Sequence, residues 1–285
     1  MISTRPGRPV GELLRDWRRT RGMSQLDLSI EAGVSTRHLS FVETGRSRPS
    51  PDLILRLAEH LEMPLAERNT MLLAGGYAPA YPRHELSDPE LAPVRAAVRQ
   101  ILDGHSPYPA LLVDQHWHLV DANPAVALFT MDAQPHLLTP PINVLRLSLH
   151  PDGLAPRIVN LPEWRAHLLK RLHQQATSTS DPTLYDLHEE LRGYPGGDVD
   201  TTPAGDALSR VLVPLRYRHG DQELSFVSTT TLFGTPRDVT VAGLAVEAFF
   251  PADSETTQAL RARADRDSAT RHPGDPAAAD GARRR

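Results

Sequence analysis

Leu13, Leu14 and Trp17 form an apolar stripe that predicts a first helix from about Pro9 to Arg21, ended by Gly22. Ser24 precedes the next periodic segment and Asp27 follows three positions later, a hydroxyl and a carboxylate placed to satisfy the free amides of a helix start. This second helix begins at Gln25 and turns Leu28 and Ala32 inward, with small Ser29 where another helix can approach. Gly33 supplies a sharp turn, Ser35 caps a third helix, and Leu39 and Val42 point back at the second. Residues spaced about 100° apart on a wheel leave Arg37, Ser40, Phe41 and Thr44 facing outward, with Thr36 at the edge. Pro49 and Pro51 bracket a turn, then Asp52 to Leu61 and Ala66 to Ala74 read as two further helices. The arrangement is a helix-turn-helix inside a five-helix, all-α domain, residues 1–82, closed by a boundary at Gly75, Gly76, Pro79 and Pro82.

Beyond Asp88 the pattern changes. Asp88 to Leu102 reads as a helix with Leu91, Val94, Val98 and Ile101 on one face. Pro109 to Val113 and His116 to Ala122 read as strands joined at Asp114 and Gln115, and a helix from Asn123 and Pro124 ends near Phe129. Helical pieces follow at Ile142 to Leu149, Pro162 to Ala176 and Pro182 to Arg192, then a flexible loop from Gly193 to Pro203. Leu208 to Arg218, Glu223 to Phe233 and Val239 to Phe250 read as three closing strands. Residues 88–252 are thus an α+β domain with a five-stranded antiparallel sheet and a helical insertion, the order of a PAS-like fold. In 253–285 a helix reaches about Arg266, and 267–285 carry too few apolar groups to order.

Composition narrows the chemistry. A chain of 285 residues holds more than one domain, and no cysteine is present, so disulfides, thiolate catalysis and cysteine-ligated zinc are excluded. The net charge of −4 hides a local asymmetry, because residues 1–60 carry ten arginines against seven acidic residues. No apolar run approaches the roughly 18 residues of a membrane span, and the start lacks an apolar signal core, so a cytoplasmic protein is expected.

The pattern of Gln25, Leu28, Ser29, Ala32, Gly33, Val34, Ser35, Leu39, Val42, Glu43 and Gly45 resembles the phage-repressor-like, Xre-type DNA-binding family. That resemblance implies that the third helix enters the major groove with Thr36, Arg37, Ser40 and Phe41 toward base edges, while Ser24 and Gln25 meet backbone phosphate. Arg37 suits a bidentate contact with guanine; Phe41 offers only apolar contact, or packs against residues 45–50. The resemblance also pairs Glu43 with Arg18. Arg46 and Arg48 flank Ser47 just after the reader helix, where phosphate contacts set register. Longer stretches, NVLRLSLHPDGL (143–154), IVNLPEWRAHLLKRL (158–172), FGTPRDVTVAGLAVEAFFPAD (233–253) and HLSFVETGRSRPSPDL in the reader region, resemble the MmyB-like transcription regulators. This implies a DNA reader joined to a PAS-like domain for a small apolar, fatty-acid-like ligand.

A curved sheet covered by helices leaves a concave apolar space. Leu111, Val113, Leu119, Phe129, Leu145, Trp164, Leu168, Val213 and Phe226 are candidates to line it, with Arg146, His150 or Arg165 placed to meet a carboxylate; taken singly, each apolar residue suits an ordinary core better. The thirteen histidines do not fall into a metal or triad pattern: His116 and His118 share a strand face without a supporting carboxylate, His188 lacks a second histidine four positions on, and His167 and His173 lie off one helical face. His150 suits bracing of a turn. No phosphate loop or nucleophile elbow appears, so neither cofactor, metal nor catalytic residue is expected. The expectation is a homodimeric, ligand-responsive regulator on a two-fold DNA operator. Two alternatives stand beside it: a helix-turn-helix docking module with a dimerising second domain, and an enzyme whose DNA binding is regulatory.

Overall fold

The computed structural model describes residues 7–197 and 212–271. Expectations for the first six residues, for most of the loop after Gly193, for the start of the strand expected from Leu208, and for the tail with Arg283, Arg284 and Arg285 lie outside them. Twelve helices run among the described residues: α1 Val10–Thr20, α2 Gln25–Glu31, α3 Thr36–Glu43, α4 Pro51–His60, α5 Leu65–Ala74, α6 Ala92–Gly104, α7 Ala127–Thr130, α8 Val144–Leu149, α9 Leu161–Thr179, α10 Pro182–Arg192, α11 Val239–Ala242 and α12 Ser254–Arg271. The strands are β1 Ala110–Val113, β2 Leu119–Ala122, β3 Leu215–His219, β4 Gln222–Leu232 and β5 Ala245–Pro251. They form two compact units, one spanning Met1–Ala97, Leu169–Arg192 and Leu232–Leu244, the other Val98–Leu168, Gly193–Thr231 and Ala245–Arg285.

The first unit is built from the helices whose caps the chain announces. Ser24 and Asp27 form a reciprocal capping box at α2, while Ser35 and Ser50 accept amides of α3 and α4. The expected inward residues Leu13, Leu14, Trp17, Leu28, Leu39, Val42 and Leu57 are buried in one cluster. Gly33 has φ 62° and makes the turn between α2 and α3. At Gly11 a Cβ would stand 2.2 Å from the carbonyl oxygen of Val42, so the backbones of α1 and α3 meet where no side chain fits.

The proline-rich stretch after α5 is tied down. Asn69 Oδ1 accepts from the amides of Ala80 and Tyr81, both at 3.0 Å, and its Nδ2 donates to the Tyr81 carbonyl at 2.7 Å. Residues 239–244, expected as the start of a strand, instead begin with the single turn α11. Asp238 accepts from the amides of Thr240 and Val241, and that cap outweighs an alternating pattern short enough to suit either structure. The amide of Val239 donates to Pro82, Thr240 Oγ1 donates to the His84 carbonyl at 2.6 Å, and Asp238 Oδ2 meets His84 Nδ1 at 2.8 Å. Burial alone would raise the Asp238 carboxyl, but hydrogen bonds from His84 and the α11 amides hold it below the ordinary range.

In the second unit the sheet order is β2-β1-β5-β4-β3, the five-stranded α+β, PAS-like architecture expected. β1, an interior strand, is buried on both faces and pairs antiparallel with β2 and β5; β3 and β4 pair Tyr217 with Leu224 and Leu215 with Phe226. Asn123 ends β2 by donating to the carbonyls of Leu102 and Tyr108 and accepting from Ala110 N. Two expectations change. Leu102, four residues after Val98, is buried while Ile101 is 44% exposed, because the α6 stripe advances by four at that step. His116 and His118 precede β2 rather than lying within it: Trp117 has φ 67° and breaks the alternation, so the strand starts at Leu119.

Candidate functional site

α3 presents one face away from the first unit's core. Arg37 and Thr44 are exposed, and Thr36, Ser40 and Phe41 are half-buried. Phe41 is half-buried, and the segment after α3 packs on it through Arg46. Its ring lies beneath two guanidinium groups, Arg37 with its carbon 5.4 Å from the centroid and Arg46 with its carbon at 5.9 Å. The Phe41 carbonyl also accepts the amides of Arg46 and Ser47, at 2.8 and 3.1 Å, so the chain leaving α3 at Gly45 (φ 74°) folds back over the ring. An aromatic face attracts cations. The result is an aromatic platform at the outer side of α3 that engages two arginines.

The neighbouring residues brace that platform. Thr36 Oγ1 meets Ser29 Oγ at 2.9 Å, locking α2 to α3. Gln25 Nε2 donates to Glu43 Oε2 at 2.7 Å, so the side chain expected at a phosphate steadies the buried ion pair. Arg18 grips Glu43 in a two-pronged contact, Nε to Oε1 at 2.6 Å and Nη2 to Oε2 at 2.9 Å, and donates through Nη1 to the Met23 carbonyl. The hydrogen bonds to Glu43 raise the Arg18 pKa further. Ser24 and Ser35 spend their hydroxyls on caps, and Thr44 Oγ1 donates back to the Ser40 carbonyl at 2.7 Å. Arg48 stands apart: Nε and Nη2 both donate to the Gly75 carbonyl, and the group lies 5.0 Å from the Tyr77 ring centroid. In this geometry Arg48 binds the end of α5. Of the expected residues, Arg37, Ser40, Phe41, Thr44 and Arg46 lie on the outward side of α3 and the turn that follows it.

In the second unit Phe129 is the hub of an aromatic cluster, edge-on to Phe249 at 5.1 Å, Tyr217 at 5.5 Å and Phe226 at 5.6 Å. Phe226, Val113, Leu145, Leu168, Trp164 and Leu111 are buried, while Leu119 and Val213 are half-buried. Trp164 Nε1 donates to Ser148 Oγ at 3.1 Å, fastening α9 to α8, and its ring stacks on His167. Arg165 is buried and donates to the Gly197 carbonyl, and Arg146 is half-buried on α8. His150 ends α8, accepts the Asp152 amide on Nδ1 at 3.0 Å and packs edge-on to Tyr194, so it braces the turn as expected.

Sequence reading missed Tyr217, Phe249 and the group at the end of β3. Burial raises the Tyr217 phenol, and burial with Arg263 and Arg157 nearby lowers the His219 imidazole, whose Nε2 accepts from Arg263 Nη1 at 3.1 Å. The alternation in LRYRH was the available signal for Tyr217. The carboxylate missing from the His116 and His118 reading is Asp114, whose Oδ2 lies 3.1 Å from His118 Nδ1. Among the described residues no helix is long and apolar enough to cross a membrane.

Comparison with known proteins bears on both units. The model of the MmyB-like transcription regulator ligand binding domain matches residues 94–262, and that of a helix-turn-helix domain matches 9–71. An uncharacterized HTH-type transcriptional regulator, RghRB of Bacillus subtilis (strain 168), is 33% identical over 75 residues, covering 26% of this chain and 52% of that protein. The chain spans about half the length of that relative. With more than half of its length matched by one family, this chain belongs to the MmyB-like transcription regulators, carrying their ligand binding domain behind a helix-turn-helix domain.

Proposed function

We propose that the chain is a one-component regulator: α3 reads an operator, and a small apolar, fatty-acid-like molecule held in the second unit changes DNA affinity. The observation that carries this is the outward pair of arginines on the Phe41 ring, on a helix whose other face is locked into a repressor-like core. Arg37 stands on the N-terminal turn of α3, where a groove-bound helix meets base edges. The aromatic cluster around Phe129 supplies apolar surface for the effector. A homodimer on a two-fold site, reader helices roughly 34 Å apart, fits this class of reader, and the protein acts in the cytoplasm by binding rather than by catalysis.

Effector control requires unequal affinity for two states of the protein. The test is a fluorescence-anisotropy titration of the chain's own upstream DNA, with and without a straight-chain saturated fatty acid. Denaturation and extraction of the purified protein identify any molecule it already holds. The reading expects salt-dependent, sequence-selective binding, a midpoint that moves with the fatty acid, and an extracted molecule released unchanged. Binding that ignores DNA sequence sinks the reader role, and an extracted turnover product favours an enzyme.

A further inference from the structure

The turn between β1 and β2 gathers three groups that bind metals. Asp114 Oδ1 accepts the backbone amides of His116 and His118, both at 2.8 Å, which fixes the carboxylate and leaves Oδ2 directed at His118 Nδ1. Trp117 stands between the histidines with φ 67° and is buried, an uncommon backbone for a bulky residue. The turn is also held from outside. Asn143 Nδ2 donates to the His116 carbonyl at 2.9 Å, and the amide of Val144 donates to Trp117 at the same distance.

With Trp117 anchored, the two imidazoles fall on one side, their centroids 6.1 Å apart. One donor atom from each of Asp114, His116 and His118 lies within 4.8 Å of the others. Ligands bound at about 2.0–2.1 Å around a tetrahedral ion stand about 3.3 Å from each other. Asp114 Oδ2 and His118 Nδ1, at 3.1 Å, already match that edge, and His116 brings the third donor within 4.8 Å of both. Two imidazoles and a carboxylate suit zinc-class divalent ions, and three protein ligands leave a fourth position open.

A second group, His136, His150 and Asp152, is the weaker candidate. The side chains of His136 and Asp152 are 58% and 54% exposed, and His150 Nδ1 already accepts a backbone amide.

We propose that Asp114, His116 and His118 form a binding site for a divalent transition-metal ion of the zinc class on the β1–β2 turn. Asn143 already links this turn to the start of α8, so an ion bound there would sit on a braced segment.

The experiment is calorimetric titration of zinc chloride into the untagged, chelator-stripped full chain, repeated with cobalt(II), whose visible bands report tetrahedral ligation. Asp114→Asn is the decisive variant, because an asparagine oxygen still accepts both turn amides while the anionic ligand is gone. His118→Ala and His150→Ala complete the set, with circular dichroism of each metal-free variant to confirm folding. The proposal expects one ion per chain, affinity reduced about tenfold or more in Asp114→Asn and His118→Ala, and none of that loss in His150→Ala. It is overturned if the wild type binds no tighter than a His116→Ala/His118→Ala double variant, if Asp114→Asn binds like wild type, or if the loss follows His150→Ala instead.

Discussion

Replacing Phe41 by alanine removes the surface on which Arg37 and Arg46 lie, with centroid distances of 5.4 and 5.9 Å. A cation over an aromatic ring at an exposed site is worth about 0.5–1 kcal/mol, so the two contacts together restrain the arginines by about 1–2 kcal/mol. Without the ring each side chain regains rotamer freedom, which DNA must then remove on binding. The restraint cannot exceed the strength of the stacking itself. At 1.4 kcal/mol per decade, Phe41→Ala should weaken operator binding roughly 5- to 30-fold. Phe41→Trp keeps a π face and should stay near wild type, whereas Phe41→Leu keeps bulk without that face and should resemble alanine. Fluorescence anisotropy on an operator duplex, well below each variant's thermal midpoint, reads the effect. An affinity within twofold of wild type for Phe41→Ala refutes the platform. Wild-type affinity for Phe41→Leu refutes it differently, because a plain apolar contact with a thymine methyl would then suffice.

Three further outcomes test other parts of the structure. Glu43→Ala strands the buried Arg18 guanidinium and should cost about 3–5 kcal/mol in urea unfolding, whereas a cost below 1 kcal/mol would show that the pair is dispensable. Arg48→Ala loses its bonds to Gly75 and its place on Tyr77, so it should lower the thermal midpoint while leaving the salt dependence of DNA binding unchanged; a slope reduced by about one unit would restore Arg48 to the phosphate backbone. Burial and nearby Asp181 raise the Glu67 carboxyl despite Arg83. The native state thus holds that proton more tightly than the unfolded chain, and stability falls as pH rises from the ordinary glutamate range through the raised value. Glu67→Gln should therefore raise the thermal midpoint at pH 7 and leave it unmoved near pH 3, and an equal effect at both would rule out titration as the cause.

What the sequence disclosed was local. Ser24 with Asp27, Ser35 and Ser50 announce helix starts because a cap and its amides lie within three residues, and the stripes of α1 to α4 follow from the helical period. The orientation of Phe41 was not legible, since its ring is covered by an arginine that arrives after the chain reverses at Gly45. The Val239 segment misled because VTVAGLAV alternates well enough for a strand, while the cap that wins is bonded to His84, 154 residues away. Asp114 sits two and four positions before the histidines it joins, yet its meeting with them depends on a turn that the left-handed backbone of Trp117 makes where an alternating strand was expected. The apolar candidates of the second unit could be named from burial patterns, but the meeting of Phe129, Tyr217, Phe226 and Phe249 depends on sheet order.

The bond between His84 and Asp238 also sets a timetable. A ribosome adding about 5–20 residues per second delivers Asp238 roughly 8–30 s after His84, long after the five N-terminal helices have had time to collapse. During that interval the amide and ring of His84 face solvent, and the stretch after α5 is held by Asn69 without its second anchor. The nascent chain therefore carries the five N-terminal helices before it carries the clasp that fastens the stretch after α5.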